Sequence, residues 1–282
     1  MARKNKISRR RLVHTIFVYL CLTLLAFFTV IPFVWTLSTS LKGPNETLYS
    51  FPPKFIPQNP TLNSYKVVWT TLPIPRYFFN SVILAIFQVS LPVILCSLAA
   101  FPLARMNFKG KNFVFMVIMA TMMIPGDITM IPIYIILTKL GLLGSRLGVI
   151  LPSAAGAFGI FLMRQAFMGI PKEIEDSAFI DGTNTWQMWR YIMFPMVKPN
   201  IATFSILRFI NSWNAFLWPL LVFTDPKMYP LTVGLYNLRG AFVTNTRLVA
   251  AGTIIALIPI MVIFVVFQRY FIQGAYSSAV KG

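Results

Sequence analysis

The chain has 282 residues, of which 57% are hydrophobic and only 11% are charged, and its mean hydropathy is +0.71. Soluble domains have about 25% charged residues, so this chain has too few charges to cover a water-exposed surface, which excludes a soluble globular protein. Its 25 lysines and arginines against 7 acidic residues give a net charge of +18, but they flank apolar runs and form no basic domain. This distribution indicates lipid head groups as partners and argues against nucleic acid.

Six long apolar runs predict six membrane-spanning helices, because lipid cannot hydrogen-bond an exposed backbone and a spanning helix needs about 20 apolar residues. The runs cover residues 12–37, 78–103, 112–137, 147–167, 201–223 and 248–270. The first run is far longer than the ~7–15 apolar residues of a cleaved signal peptide, and no small-residue cleavage site follows it, so we expect it to be retained. The expected fold class is an all-α integral membrane protein with six transmembrane helices.

The distribution of basic residues predicts that both termini lie in the cytoplasm. Lysine and arginine favour the cytoplasmic side of a membrane, and the chain begins with a basic cluster formed by Arg3, Lys4, Lys6, Arg9, Arg10 and Arg11. We therefore expect a basic cytoplasmic N-terminus (1–11), a transmembrane domain (12–270) and a cytoplasmic C-terminal tail (271–282). The small and polar run 274–282 is typical of a flexible tail, with a contact to a cytoplasmic partner as the alternative.

This orientation places two loops, residues 42–77 and 224–247, on the outer side of the membrane. The first is rich in proline, at Pro44, Pro52, Pro53, Pro57, Pro60, Pro73 and Pro75. Because proline fixes φ and lacks an amide hydrogen, we predict an irregular and fairly stiff loop without helix or sheet.

The longest cytoplasmic loop, residues 168–200, contains signals for two short helices joined by a glycine. Pro171 suits a first helical position, and Gly182 predicts where the first helix ends. Acidic residues fall in the first turns, where the helix dipole favours anions: Glu173, Glu175 and Asp176. Asn184, with Gln187 three residues later, resembles a capping box that opens the second helix.

We expect Pro195 and Pro199 to end that second helix before the next span. The loop also carries apolar side chains, namely Ile174, Ala178, Trp186, Trp189 and Met193. Apolar groups of this size need burial. They either pack against the chain's own helices or fill a groove of a cytoplasmic partner, and both interpretations stay open at this point.

The same loop resembles the Glu-Ala-Ala loop of ABC importer permeases, whose pattern is EAA, three residues, Gly, nine residues, Ile, one residue and Leu-Pro. Here the pattern reads Asp176-Ser177-Ala178, Gly182, Ile192 and Phe194-Pro195, with every spacing kept. Asp176, Ser177 and Phe194 depart from the pattern but preserve charge, small size and apolarity. The stretches NSWNAFLWPL, FPPKFIPQNPTLNSY and QRYFIQGAYSSAVKG are similar to the sugar-importer branch, and specifically to its maltose-type second permease subunit.

This resemblance implies a type I ABC importer permease fold. It also implies a heterodimer with a homologous permease, two cytoplasmic ATPase subunits and an extracytoplasmic sugar-binding protein. The loop 171–195 would couple the permease to the ATPase through Glu173, Glu175, Asp176, Ser177, Ala178, Gly182, Ile192 and Pro195. The chain itself contains no phosphate-binding loop, since Gly110-Lys111 is followed by Asn112 and lacks the upstream glycine. We therefore expect ATP and Mg²⁺ on a partner, and no cofactor or metal on this chain.

Ionisable residues at bilayer depth are expensive, so Asp127 and Arg208 require a reason. Asp127 follows Pro125 and Gly126, and it either lines the pathway, pairs with Arg208 or caps a helix that breaks at Pro125. We favour the capping role.

The fifth span carries Asn211 and Asn214, with Trp213 between them. Amides next to aromatic rings suit the hydroxyls and rings of a sugar. The alternative is interhelical hydrogen bonding, which asparagine provides in membranes.

The resulting hypothesis is a permease subunit of an ATP-driven, binding-protein-dependent importer of di- or oligosaccharides in the cell membrane. A glycerol-phosphate importer permease is the main alternative. A membrane-embedded enzyme needs clustered catalytic groups, and one histidine (His14) with one acid inside the predicted spans is too few, so we assign no catalytic residue. A self-sufficient carrier is the third possibility, and uptake into vesicles that contain this chain alone would distinguish it.

Overall fold

The structure is a computed structural model that describes residues 9–239 and 245–279. Side chains are described for residues 12–239 and 245–268. The described residues form helices and connecting loops, with no strand. The chain divides into two compact units. Unit 1 contains Met1–Leu72 and Leu238–Ile255, and unit 2 contains Pro73–Asn237 and Ala256–Gly282.

Unit 1 contains helix α1 (Arg9–Leu41) and helix α2 (Asn63–Thr71), together with the first part of the final helix. The apolar side chains of α1 are exposed along most of its length, as expected of a helix that contacts lipid. The loop after α1 is held by polar contacts. Ser40 Oγ lies 2.7 Å from Tyr65 OH, and the fully buried Lys42 donates from Nζ to the carbonyl of Lys54 at 2.8 Å.

Helix α2 corrects the prediction that residues 42–77 contain no helix. Five of the seven prolines of this loop lie at or before Pro60 and two lie at or after Pro73, and the stretch between these two groups contains none. The prediction used the proline content of the whole loop and so overlooked this proline-free stretch, which is long enough for two helical turns.

Unit 2 is built around helix α3 (Ile74–Arg105), which packs mainly against α7 and α11. The other helices of this unit are α4 (Lys111–Ala120), α5 (Gly126–Lys139), α6 (Arg146–Ile150), α7 (Ala157–Met168), α8 (Lys172–Ile180), α9 (Thr185–Gln187), α10 (Phe194–Met196), α11 (Lys198–Trp213), α12 (Leu217–Val222) and α13 (Leu231–Tyr236). The last helix, α14 (Thr246–Ala279), begins in unit 1 and continues in unit 2. It runs through Gly274 to Ala279, so this part of the predicted tail is helical, whereas its flexibility stays a prediction and 280–282 lie outside the described residues.

Three of the predicted spans are continuous helices that are long and apolar enough to cross a membrane: Leu12–Leu41, Ile74–Arg105 and Thr246–Gln268. Two more are bent pairs. Lys111–Met123 and Gly126–Lys139 meet at 101°, and Arg146–Ser153 and Ala157–Met168 meet at 47°.

The break before Gly126 confirms the predicted interruption at Pro125, which cannot donate to the helical ladder. The predicted fifth span, residues 201–223, is divided between α11 and α12 by a short non-helical stretch.

Gly159 allows α3, α7 and α11 to meet closely. A Cβ atom at this position would lie 2.5 Å from the ring of Phe204 on α11 and 2.7 Å from Sγ of Cys96 on α3. Both neighbours are buried, so one of them would have to shift within the core. The close approach of these helices therefore depends on the absence of a side chain at position 159.

We predict that Gly159→Val destabilises the protein by about 1–3 kcal/mol, the usual effect of overpacking a core, because its methyl groups collide with Phe204 and Cys96. The measurement is the thermal unfolding midpoint of the detergent-solubilised protein. Gly156→Ala is the matched control, since nothing lies within 4 Å of its added Cβ and its φ of −163° is extended backbone. Equal losses in the two variants would contradict the steric explanation.

Candidate functional site

Residues 171–196, which we call the 171–196 segment, begin with a helix whose ends follow the predicted signals. Helix α8 starts directly after Pro171, has Glu173 and Glu175 in its first turn and stops at Ile180. Gly182 then adopts a left-handed φ of +79°. This conformation lets the amide of Thr183 donate to the carbonyl of Ala178 at 3.1 Å, which satisfies a carbonyl that the helix end leaves free.

The predicted capping box is also confirmed. The amide of Gln187 donates to Oδ1 of Asn184 at 2.8 Å, and the amide of Asn184 donates to Oε1 of Gln187 at 2.9 Å. The helix that follows contains a π-helical stretch, Met188–Met193, and ends only at Met196. The helix therefore ends one residue after Pro195, and Pro199 lies in the first turn of α11, so the break that the two prolines predict before the next span is confirmed.

The 171–196 segment has two apolar faces with different environments. Ala178, Met188, Trp189 and Met193 are buried in the core formed with α3 and α7. Other large apolar side chains of the segment are exposed, with Ile180 at 86% and Tyr191 at 70%, and they also include Phe179 and Trp186. Packing against the chain's own helices is thus confirmed for the buried residues, whereas docking into a partner's groove stays a prediction for the exposed ones. One face packs against the chain's own helices, and the other is available to a partner.

The predicted coupling residues divide in the same way. Glu173, Asp176, Ser177 and Gly182 are exposed, Ala178 is buried, and Glu175, Ile192 and Pro195 are partly buried. The hydroxyl of Ser177 donates to the carbonyl of Ile174 at 3.0 Å and so bonds within α8.

Glu175 forms an ion pair with Arg105 at the end of α3. The Nη1 atom of Arg105 lies 3.4 Å from Oε2 of Glu175, and their side chains are only 6% and 16% exposed. The Nη2 atom of the same guanidinium donates to the carbonyls of Phe167, at 2.5 Å, and of Ile170. Sequence reasoning missed Arg105, although a basic residue in the last turn of a helix is a known signal for contact with free carbonyls.

Two further cations stabilise the end of α3. Nε of Arg164 donates to the carbonyl of Leu103 at 3.0 Å, and its guanidinium lies 4.1 Å from the ring centroid of Phe115. Nζ of Lys111 donates to the carbonyls of Ala104 and Met106 at 3.2 and 2.9 Å. These donors satisfy carbonyls at a helix end and carry the charge that the negative end of the helix dipole favours.

Arg208 and Asp127 do not form the ion pair that sequence analysis left open. Asp127 is exposed and lies in the first turn of α5, where the helix dipole favours a carboxylate, although its side chain makes no capping hydrogen bond. Arg208 donates from Nε to the carbonyl of Gln88 at 3.3 Å and from Nη2 to that of Ser153 at 2.8 Å.

The two carbonyls that Arg208 contacts are both left free by the helical ladder. Proline at position 92 has no amide hydrogen to donate to Gln88, four residues earlier, and Ser153 lies at the break before α7. The side chain of Gln88 extends this network, since it accepts from Ser212 at 2.6 Å and donates to the carbonyl of Val149 at 3.0 Å. The network was missed because its members are far apart in sequence.

Trp213 differs from its neighbours Asn211 and Asn214. Its ring is 2% exposed, and its Nε1 donates to the carbonyl of Ala256 on α14 at 3.1 Å. It also lines an apolar groove of about 820 Å³ between α3, α11 and α14. Asn211 and Asn214 are exposed, and within the described part of the chain neither carboxamide has a hydrogen-bond partner. Trp213 therefore joins helices, and the two amides remain candidates for contact with a substrate.

Comparison with known proteins assigns the family. Residues 93–275 match the family described as binding-protein-dependent transport system inner membrane component. The chain belongs to this family. Its members are transport permeases, so this ABC importer permease is not an enzyme.

Relatives of this permease include two curated proteins. The arabinooligosaccharides transport system permease protein AraQ of Halalkalibacterium halodurans is 37% identical, and the match covers 81% of this chain and 82% of AraQ. The sn-glycerol-3-phosphate transport system permease protein UgpE of Shigella flexneri is 33% identical, with 83% and 86% covered. A solved chain of a bacterial ABC transporter that imports the acidic polysaccharide alginate has a TM-score of 0.84 and 25% identity, with 94% and 98% covered.

We predict that Asp127→Asn changes the free energy of unfolding by less than about 0.5 kcal/mol, because the exposed carboxylate has no ion-pair partner to lose. Arg208→Leu, in contrast, leaves two carbonyls without donors and costs about 1–3 kcal/mol for each. The measurement is again the unfolding midpoint of the purified permease. A large loss with Asp127→Asn would indicate a buried ion pair and contradict the geometry described above.

Proposed function

We propose that this chain is one of two homologous permeases in an ATP-driven importer of di- or oligosaccharides. In this proposal it crosses the membrane six times with both termini in the cytoplasm. Two cytoplasmic ATPase subunits bind ATP and Mg²⁺, and an extracytoplasmic binding protein delivers the sugar. The observation that supports this most directly is the 171–196 segment, which combines a buried face with an exposed apolar face.

The exposed face of the 171–196 segment suits a cleft of an ATPase subunit. Phe179, Ile180, Trp186 and Tyr191 give this face large apolar groups, which bind well when a groove removes them from water. The spacing from Asp176 to Pro195, shared with the Glu-Ala-Ala loop, supports the same partner. Closure of the ATPase around ATP would then shift the permease between two states by differential contacts.

The two bent pairs and the pair α11–α12 complete the proposed six spans. The basic N-terminus supports a cytoplasmic start, since positive charge favours that side. The exposed apolar faces of α1 and the groove beside Trp213 leave apolar surface for lipid and for the second permease. Both partners are expected of a heterodimer embedded in a bilayer.

The proposed cargo is a carbohydrate. AraQ is named for arabinooligosaccharides and the solved transporter for alginate, and Asn211 and Asn214 offer free amides to hydroxyl groups. A glycerol-phosphate cargo is the second candidate. It is favoured by the relationship to UgpE and by Arg208, whose positive charge has no carboxylate partner among the residues with described side chains.

The decisive experiment reconstitutes this permease with its second permease, ATPase and binding protein in liposomes. We expect uptake of oligosaccharide that requires ATP, and a disulfide cross-link from Ile180→Cys to a cysteine in the ATPase cleft. The native Cys21 and Cys96 are replaced first, because the former is exposed. Uptake by liposomes containing this chain alone would indicate a self-sufficient carrier, and uptake of glycerol phosphate but no sugar would select the second candidate.

We predict that Gly182→Pro abolishes sugar uptake while ATP hydrolysis continues. Proline is restricted to φ near about −65°, so it cannot adopt the left-handed conformation that turns the 171–196 segment. Gly182→Ala is the control. Nothing lies within 4 Å of its added Cβ, so the cost is the conformational strain of about 1–2 kcal/mol, and we expect most uptake to remain. Full uptake with Gly182→Pro would count against coupling through this turn.

A further inference from the structure

We propose that Arg105 and Glu175 form a clamp that positions the 171–196 segment on α3 and transmits its movement to that helix. The inference rests on the proposed coupling function and adds two positioning residues within this chain. Arg105 is outside the loop that resembles the Glu-Ala-Ala pattern.

The clamp joins three elements through one guanidinium group. Arg105 is the last residue of α3, its Nη1 contacts Glu175 in the first turn of α8, and its Nη2 donates to Phe167 and Ile170 at the end of α7. Helix α7 ends at Met168, so these carbonyls belong to its last turn and the residues just after it. The rigid, planar fork of arginine therefore fixes the angle of α8 relative to both longer helices.

Burial makes this pair a stronger connection than an exposed one. The side chains of Arg105 and Glu175 are 6% and 16% exposed, so water screens their attraction weakly and does not replace it easily. Removal of either partner leaves the other charge buried without compensation, which is strongly unfavourable. While the ion pair is intact, a force that displaces α8 therefore also acts on the end of α3.

The apolar contacts of the segment do not supply the same connection. Ala178, Met188, Trp189 and Met193 bury area against the core, but the hydrophobic effect is non-directional, and only Ala178 of these residues belongs to α8. The clamp, in contrast, specifies both position and orientation. Helix α3 also carries Gln88, which belongs to the polar network with Arg208 and Ser212. Displacement of α3 therefore reaches the middle of unit 2.

The test measures sugar imported per ATP hydrolysed in the complete reconstituted importer. We expect Glu175→Gln and Arg105→Gln each to lower this ratio about tenfold while the ATPase subunits still co-purify. Lys109→Gln, an exposed residue four positions after Arg105, is the matched control for loss of one positive charge, and it should leave the ratio unchanged. The double variant should lose no more than Arg105→Gln alone, because residues that act as one pair are not additive.

Three outcomes would overturn the clamp. These are an unchanged ratio in Glu175→Gln, an equal loss in Lys109→Gln, or strictly additive losses in the double variant. If Arg105→Gln fails to assemble, the isosteric Glu175→Gln decides alone. Failure of the proposed function is separate, because the unmodified importer would then show no ATP-dependent uptake and no cross-link from Ile180→Cys.

Discussion

Backbone carbonyls without helical partners are the constraint on which the rest of this structure depends. Lipid offers no hydrogen-bond donor, so a chain that breaks its helices inside a membrane must supply donors from its own side chains. Arg208 supplies them at Gln88 and Ser153, and Arg105 supplies them at the end of α7. The negative ends of carbonyl dipoles also lower the cost of placing a cation there. The bend before α7 is tolerated in this protein because the side chain of Arg208 donates to the carbonyl of Ser153 at the interruption.

Features encoded within a few residues could be predicted from sequence. The capping box of Asn184, the left-handed turn at Gly182 and the break at Pro125 each depend on one residue type with fixed local geometry. The apolar runs likewise indicated helices, because their composition alone decides the solvent they require. Where the local signal was averaged over a long stretch, as for α2 in the proline-rich loop, the prediction failed.

Features that depend on partners far along the chain could not be predicted. The carbonyl of Gln88 is free because of Pro92. Arg208, which donates to this carbonyl, is 120 positions away from Gln88 in sequence. The ion pair between Arg105 and Glu175 likewise could not be predicted before the packing of α3 against α7 is known. The sequence of the 171–196 segment showed which side chains are apolar, but not which of them the chain buries itself, since Trp186 is exposed and Trp189 is buried.

The buried residues of the 171–196 segment determine what a contact with its exposed residues can do. An exposed apolar surface on an otherwise mobile loop would bind a partner, but a pull from that partner would be absorbed by the loop. In this permease the same short segment is anchored behind its exposed face by Met188, Trp189 and Met193 and oriented by Arg105. A partner that moves Ile180 or Tyr191 therefore moves the end of α3 as well. In the proposed mechanism, coupling requires no long chain of contacts, because α3 alone extends from the 171–196 segment to the polar network at Gln88.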